Sequence, residues 1–201
     1  MLRERFDVRA DDAVAEGWED NWRTFHHGVV VGRVWIGPPW EEPPAGVDAV
    51  VIDPGRAFGT GAHPTTRLTL ALLQEQPPGS LLDVGCGSGV LSIAAVKLGF
   101  APVIALDVDP DAVAVTRENA RANRVQIDAR VCDVLAEELP STELVVANVA
   151  LDVVEALLAR VPVGRVVASG YLERDEPRVA GWRTLDRRTD GGWAADLLER
   201  A

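Results

Sequence analysis

From residue 80 onward, short apolar runs alternate with segments whose apolar residues recur at helical spacing. The runs read SLLDVG, PVIALDVD, VQIDARVCD, ELVVANV and GRVVASGYL, and between them lie VLSIAAVKLG, PDAVAVTRENARAN and ALDVVEALLARV. Short continuous apolar runs are typical of strands that are buried on both faces of a parallel sheet. Their alternation with helices predicts an α/β fold with a doubly wound, mostly parallel sheet.

The end of the chain follows a different pattern. GWRTLDRRTDGGWAADLLER carries the turn sequence TDGG between two strand-like halves, which predicts a C-terminal antiparallel hairpin. Added to the five buried runs, its two strands make a sheet of seven. A plain nucleotide-binding sheet need not end in such a hairpin, so the hairpin distinguishes this chain from that fold class.

The first 46 residues are expected to form an extension, and residues 47–201 the main domain. The segment 11–27 predicts a short helix with Trp18 and Trp22 on one face. The two rings either pack on the main domain or belong to a substrate surface. VVVGRVWIG then predicts one short strand, and PPWEEPP predicts a stiff, proline-rich linker.

Composition limits the classes of function. A net charge of −11 argues against independent nucleic-acid binding, for which a basic face supplies most of the affinity. The charged start of the chain is unlike a signal peptide, and no apolar run approaches the roughly 20 residues that span a membrane. Cys86 and Cys132 lack metal-site spacing and fit a reducing compartment. We therefore expect a cytoplasmic protein without a metal, a direct nucleic-acid partner or a membrane partner.

Groups suited to bind a ligand follow the apolar runs. DVGCGSG places Asp83, Gly85, Gly87 and Gly89 at the first turn from strand to helix. Glycines there let a ligand approach the backbone, with the amides of the helix start just behind. The G-x-G-x-G spacing differs from the G-x-G-x-x-G of dinucleotide sites, which disfavours a nicotinamide-dependent oxidoreductase.

The next three runs each end in a polar residue. Asp107 ends the second run, where a carboxylate can bind both hydroxyls of a ribose. Asp133 ends the third, and it either reaches the edge of an adenine or is a loop residue; Asn148 ends the fourth. Asp109 and Asp111 flank a helix start and are expected to cap it or to interact with its dipole. Open α/β sheets bind ligands at these strand ends.

The stretch FGTGAHPTT, residues 58–66, is polar but uncharged and lies between VVIDP and RLTLALL. Pro64 stiffens the turn, and the hydroxyls of Thr65 and Thr66 can cap a helix and face a ligand. His63 is either a structural donor in this loop or a base. Cys86, between two glycines, is expected to be a small filler.

Together these motifs resemble known families. DVGCGSG, Asp107, Asn148 and the terminal hairpin resemble class I S-adenosylmethionine-dependent methyltransferases. The stretches IDPGRAFGTGAHPTT, DVGCGSGVLSIAAVKLG, ALDVDPDAV, VVANV and ASGYL resemble, more closely, the ribosomal protein L11 methyltransferase family, which methylates amino groups of that protein. This resemblance runs from about Trp18 to the end of the chain, and FGTGxHPTT is its most specific part.

The resemblance implies S-adenosylmethionine as the cofactor. It places the methionine part on the turn at Gly85, the ribose on Asp107 and the reacting end at Asn148, which is the implied catalytic residue. The full set of implied cofactor-binding residues is Phe58, Thr60, Thr66, Asp83, Gly85, Gly87, Asp107, Asp133 and Asn148.

Two departures from the family bear on the substrate. The first 46 residues are too few for the domain with which family members dock the ribosomal substrate, and NVAL stands where the family usually has N-I-L-A. We therefore expect N-methylation of a protein similar to ribosomal protein L11, on lysine side chains or the N-terminus, with weaker recruitment. Exposed tryptophans are favoured interface anchors, and those expected to face the acceptor or a partner are Trp18, Trp22, Trp35 and Trp40.

Other functions remain open from the residues alone. The acceptor could be another protein or a small-molecule amine. The chain could also be a non-catalytic subunit that binds S-adenosylmethionine, although the presence of Asp83, Asp107 and Asn148 argues against this. The sequence leaves the oligomeric state unknown.

Overall fold

The computed structural model describes residues 27–53 and 61–201. Trp18 and Trp22, with the helix predicted around them, lie outside the described residues, as do Phe58 and Thr60. Within the described ranges, no helix is long and apolar enough to cross a membrane.

From residue 81 to residue 172 the described strands and helices alternate, except that two strands follow one another at 128–131 and 144–148, as the sequence predicts. The helices are α1 (Pro64–Leu73), α2 (Val90–Lys97), α3 (Pro110–Ala122) and α4 (Leu151–Leu158). The strands are β1 (Val29–Val31), β2 (Val34–Gly37), β3 (Asp48–Val51), β4 (Leu81–Val84), β5 (Val103–Asp107), β6 (Asp128–Val131), β7 (Leu144–Asn148), β8 (Arg165–Leu172), β9 (Trp182–Asp190) and β10 (Trp193–Arg200).

Seven of these strands form the central sheet, in the order β6-β5-β4-β7-β8-β10-β9. The five strands from β6 to β8 are parallel, and β10 runs antiparallel to both β8 and β9. The predicted fold class, a seven-stranded and mostly parallel sheet with a C-terminal hairpin, is therefore confirmed. The chain order reverses between β4 and β7, and in open α/β sheets this reversal opens a crevice where ligands bind.

The two faces of the sheet bury two separate apolar clusters. Because successive side chains of a strand point to opposite faces, Leu81 belongs to the cluster under α1 and α2, and Leu82 to the cluster under α4. Both side chains are fully buried. The continuous apolar runs of the sequence thus reflect strands that are covered on both sides.

The N-terminal part differs from the prediction of one strand. VVVGRVWIG forms two antiparallel strands, β1 and β2, joined at Gly32, whose φ of +57° suits a tight turn. β3 then pairs parallel to β2. The resulting three-stranded sheet contains residues from both sides of the division at 46/47, and that division stays a prediction.

Two side-chain amides fasten this small sheet to the main body. Gln74, at the end of α1, accepts a hydrogen bond from the Arg33 amide and donates to the Val31 carbonyl. Asn123, at the end of α3, accepts from the Val51 amide and donates to the Val51 carbonyl. Each amide satisfies one backbone donor and one acceptor, as a neighbouring strand would.

One tryptophan does not lie where the sequence suggested. Trp35 was expected to be an exposed anchor, yet only 3% of it is exposed. Its indole lies so close to Gly28 and Gly37 that a Cβ on either glycine would approach it to 2.3 Å and 2.1 Å. The expectation is wrong because the two small neighbours let the ring fold onto the backbone.

Candidate active site

The turn after β4 is built from glycines in the left-handed region. Gly85, Gly87 and Gly89 have φ of +72°, +53° and +78°, a conformation that residues with a Cβ rarely adopt. The amides of Gly85 and Cys86 both donate to the Leu106 carbonyl of β5, at 2.8 and 3.1 Å. The turn is therefore fixed against the neighbouring strand. At the three glycines, no side chain covers the backbone of the turn.

Asp107, the last residue of β5, is held from two sides. Its Oδ2 accepts a hydrogen bond from the Gly87 amide at 2.9 Å, and its Oδ1 accepts one from the Asp109 amide at 3.0 Å. The carboxylate is half-buried, and each oxygen keeps a second acceptor position free. This arrangement fixes the plane of the carboxylate while leaving it able to accept from two neighbouring hydroxyls.

Asp83 lies at the base of the same turn and is 1% exposed. The Ser92 hydroxyl donates to its Oδ2, whereas Oδ1 is the only buried side-chain nitrogen or oxygen without a partner in the described part of the chain. Burial raises the pKa of the Asp83 carboxyl to about 6. An unsatisfied buried carboxylate oxygen is costly, which makes Asp83 a candidate ligand group beneath the turn.

Two cavities meet at the glycine turn and share Gly85 and Gly87. The larger, of about 410 Å³, is also lined by Asp107 and Asp133. The smaller, of about 310 Å³, is also lined by Thr66 and Asn148. The structure therefore brings together all the described site residues predicted from the sequence, with Asp83 beneath the turn and the others around it.

The larger cavity suits a flat apolar ring. Val108 and Leu135 on its lining are 70% and 39% exposed, so they offer an apolar surface that a ligand can cover. Asp133 is exposed at the rim, and its Oδ1 accepts from the Leu135 amide at 2.9 Å. Asp133 thus shapes its own loop, while its second oxygen makes no hydrogen bond within the described residues and can still accept one from a ligand.

The smaller cavity contains the side chains of Thr66 and Asn148. Thr66 lies in the first turn of α1 and is buried. Asn148 is the last residue of β7 and is half-buried, and its side-chain amide has no hydrogen-bond partner among residues 27–53 and 61–201. An amide facing a cavity without a protein partner can both accept from and donate to a bound molecule.

His63, rather than Thr65 or Thr66, caps the N-terminus of α1. It is the N-cap of α1, with Nδ1 accepting from the Thr65 amide at 3.4 Å and lying 2.8 Å from the Thr65 hydroxyl. The expectation that the threonines cap the helix is therefore wrong. With Nδ1 as the acceptor, the neutral ring carries its proton on Nε2, which favours the structural role over the role of a base.

The predictions for Asp109, Asp111 and Cys86 are confirmed. The Asp109 side chain caps α3 by accepting from the Asp111 amide at 2.9 Å, and Asp111 lies in the first turn. Cys86 is buried and accepts from the Thr116 hydroxyl at 3.3 Å, and burial raises the pKa of its thiol to about 12. A thiol in this state packs between the glycines and is not a nucleophile.

Several residues of the site were missed in the sequence. Gly170 of β8 and Trp193 of β10 line the smaller cavity, and Val149 lines the larger. Trp193 meets the edge of the His63 ring, with the ring centroids 4.8 Å apart. A glycine inside a strand pattern can mark a close backbone approach, so Gly170 had a signal. Trp193 had none, since the hairpin pattern does not indicate which element its turn reaches.

In the described part of the chain, no cluster of His, Cys, Asp and Glu is suited to hold a metal.

Comparisons with known proteins agree on one family. Residues 1–197 match the family described as ribosomal protein L11 methyltransferase (PrmA). The ribosomal protein L11 methyltransferase of Thermoanaerobacter pseudethanolicus is 36% identical over 97% of this chain and 68% of its own length. That of Cupriavidus necator is 44% identical over 80% of this chain and 57% of its own length. The chain thus spans about two thirds of such relatives.

Solved structures give the same result. The ribosomal protein L11 methylase of Lactobacillus delbrueckii superposes with a TM-score of 0.75 at 29% identity, covering 87% of this chain and 98% of that one. A 16S rRNA methyltransferase in complex with S-adenosyl-L-homocysteine, at 21% identity and a TM-score of 0.52, shares the fold. The resemblance inferred from the motifs is therefore confirmed: this chain belongs to the ribosomal protein L11 methyltransferase family and is a methyltransferase.

Proposed function

We propose that this chain transfers methyl groups from S-adenosylmethionine to amino groups of a protein similar to ribosomal protein L11, on lysine side chains or the N-terminus. One observation carries the proposal. Asp107 and Asn148 lie in two cavities that join at a single glycine turn, so a ligand bound along the turn reaches both. The names of the relatives support the choice of acceptor.

The lining fits the three parts of the cofactor. The larger cavity takes the adenosine, with the ribose hydroxyls on Asp107 and the adenine edge near Asp133. The glycine turn would hold the methionine part, with the orphan Oδ1 of Asp83 beneath it as the acceptor for its ammonium group. Thr66 then faces the same part of the cofactor from α1. The reactive methyl group is thereby directed toward Asn148.

The protein has to orient an amine more than to activate it. S-adenosylmethionine supplies an electrophilic methyl group, so catalysis requires a neutral amine held in line with that group. The side-chain carbonyl of Asn148 accepts from an amine N–H and thereby directs the nitrogen lone pair. His63 and Trp193 line the same cavity and limit the path along which the amine enters.

A lysine acceptor must lose a proton before it reacts, because its ordinary pKa lies well above neutrality. Nδ1 of His63 is occupied by Thr65, so His63 takes up that proton only by giving up the cap of α1. We therefore assign the proton to water at the mouth of the cavity. A strong base within the protein is not needed, because solvent takes the amine proton and the sulfonium already makes the methyl group electrophilic.

The acceptor can be tested directly. Purified protein should transfer labelled methyl groups to isolated bacterial ribosomal protein L11, and mass spectrometry should place them on amino nitrogens. The control is ribosomal protein L11 with its amines acetylated, which should take up no label. Labelling of free lysine or of another small amine in preference to the protein would support a small-molecule acceptor instead. Cofactor binding without transfer to any amine would support a non-catalytic subunit.

Replacing Asp107 should weaken cofactor binding. Two hydroxyl bonds to a carboxylate contribute roughly 1.5–3 kcal/mol each, so Asp107→Ala should raise the dissociation constant on the order of a hundredfold to ten-thousandfold. Titration calorimetry measures this, with Asp111→Ala as the control that removes an exposed carboxylate from the first turn of α3. Equal affinities of the two folded variants would refute the assignment of the ribose to Asp107.

Cofactor affinity should also fall in mild acid. The pKa of Asp83 is about 6 in the free protein, so the carboxyl is mostly protonated below that pH, while the bound ammonium group favours the ionised form. Between about pH 6 and pH 5 the affinity should therefore drop by up to roughly tenfold. Asp83→Asn should remove this slope and bind more weakly at neutral pH. A slope that survives in Asp83→Asn would assign the proton to another group.

The same substitution should stabilise the free protein. A carboxyl whose pKa is raised by folding contributes stability below its unfolded value, and that contribution is lost as the pH rises through about 6. Thermal unfolding above that pH should therefore show Asp83→Asn to be more stable than the wild type. This gain, together with weaker cofactor binding, distinguishes a ligand group from a structural one.

Asn148→Ala should lower turnover more than it weakens cofactor binding. The loss of the group that orients the amine should reduce kcat on the order of a hundredfold, with a cofactor dissociation constant within about threefold of the wild type. Thr66→Val is the comparison, since it should raise the cofactor dissociation constant more than it lowers kcat. Normal turnover with lost cofactor affinity in Asn148→Ala would reverse the two roles.

A further inference from the structure

Asn148 leaves the sheet at a point where three strands nearly touch. It lies opposite Ser169 of β8, and the next amide, that of Val149, still donates to the Ser169 carbonyl at 3.0 Å. The chain then turns into α4, whose N-cap Ala150 has no side-chain cap. Asn148 is therefore followed by a turn that its own sequence does little to fix.

Gly170 of β8 packs directly on this turn. Its φ is +104°, and a Cβ at this position would lie 2.2 Å from the Val149 carbonyl oxygen, 2.7 Å from the carbonyl carbon and 2.8 Å from the amide nitrogen. All three atoms belong to the backbone, so no change of side chain could relieve the overlap. Only glycine lets the two chains approach this closely.

Gly85 packs on the other side of the same residue. A Cβ at position 85 would lie 2.4 Å from Cγ1 of Val149, whereas the next atom, its Cβ, is 3.9 Å away. Val149 is thus held between the ends of β4 and β8, by its side chain on one side and its backbone on the other.

We propose that Gly170 and Gly85 are positioning residues for methyl transfer, which hold Asn148 in place by clamping Val149 between them. The inference rests on the proposed role of Asn148. A residue larger than glycine at either position overlaps with Val149 and therefore displaces the turn. Because Asn148 faces the same cavity, this displacement moves its amide away from the amine. A misplacement of about 1 Å is enough to cost on the order of a hundredfold in rate.

Four alanine variants test the clamp. Gly170→Ala should lower kcat by tenfold or more, with the cofactor dissociation constant changed less than about threefold. The matched control is Gly181→Ala, because Gly181 has a φ of +82° and a Cβ added there would have no atom within 4 Å, so it reports the cost of the backbone conformation alone. Val149→Ala should rescue Gly85→Ala, whose overlap is with one methyl group, but not Gly170→Ala.

A second readout does not need an acceptor. The side-chain amide signals of Asn148 in ¹H–¹⁵N spectra, assigned by their loss in Asn148→Asp, should shift in Gly170→Ala and Gly85→Ala, return toward the wild type in Gly85→Ala combined with Val149→Ala, and stay unchanged in Gly181→Ala. If the wild type methylates no amine, the proposed function fails, and these signals still decide on the clamp. If Gly170→Ala does not fold, the Gly85 and Val149 variants decide.

The clamp is overturned by any of three results. These are wild-type amide signals in Gly170→Ala, a kcat for Gly170→Ala equal to that of Gly181→Ala, and an equal rescue of Gly170→Ala and Gly85→Ala by Val149→Ala.

Discussion

The parallel register of the central strands is the constraint on which the whole site depends. Val84 of β4 lies opposite Leu106 of β5 and Ala147 of β7, so the residues that follow, among them Gly85, Asp107 and Asn148, leave the sheet at one level. A shift of one residue in any strand would turn its side chains to the opposite face and move its last residue along the edge. The hydrogen bond from the Gly87 amide to Asp107 depends on this register, and it joins the ends of β4 and β5 at the larger cavity.

Two buried carboxylates differ in how far the protein itself satisfies them. Asp196 is fully buried, but it accepts from the Tyr171 hydroxyl at 2.7 Å and from the Arg187 guanidinium at 3.0 Å. Asp83 is just as deeply buried and has one oxygen left without a partner. The first is satisfied by the protein itself, whereas the second leaves an acceptor position open at a cost in stability. Such local destabilisation is common at functional sites.

The parts of the fold that follow from local patterns could be predicted. Apolar runs gave the strands of the central sheet, and the residues that end those runs gave Asp107 and Asn148, because strand ends meet by topology alone. What depends on distant contacts could not be predicted. Trp35 is buried only because Gly28 and Gly37 leave room for it, and Trp193 reaches the cavity only because the hairpin packs beside α1. A chain pattern contains the periodicity of an element but not the identity of its distant neighbours.

Helix α3 has a consequence for how this protein behaves at high concentration. β3 and β6 lie at the edges of their sheets, and an unpaired edge can recruit a strand from another molecule. Asn123 of α3 occupies the outward amide and carbonyl of Val51 on β3, and Arg117 of the same helix donates to the Ala129 carbonyl of β6 at 2.6 Å. One helix thus occupies outward backbone groups at two sheet edges, which opposes intermolecular strand pairing there.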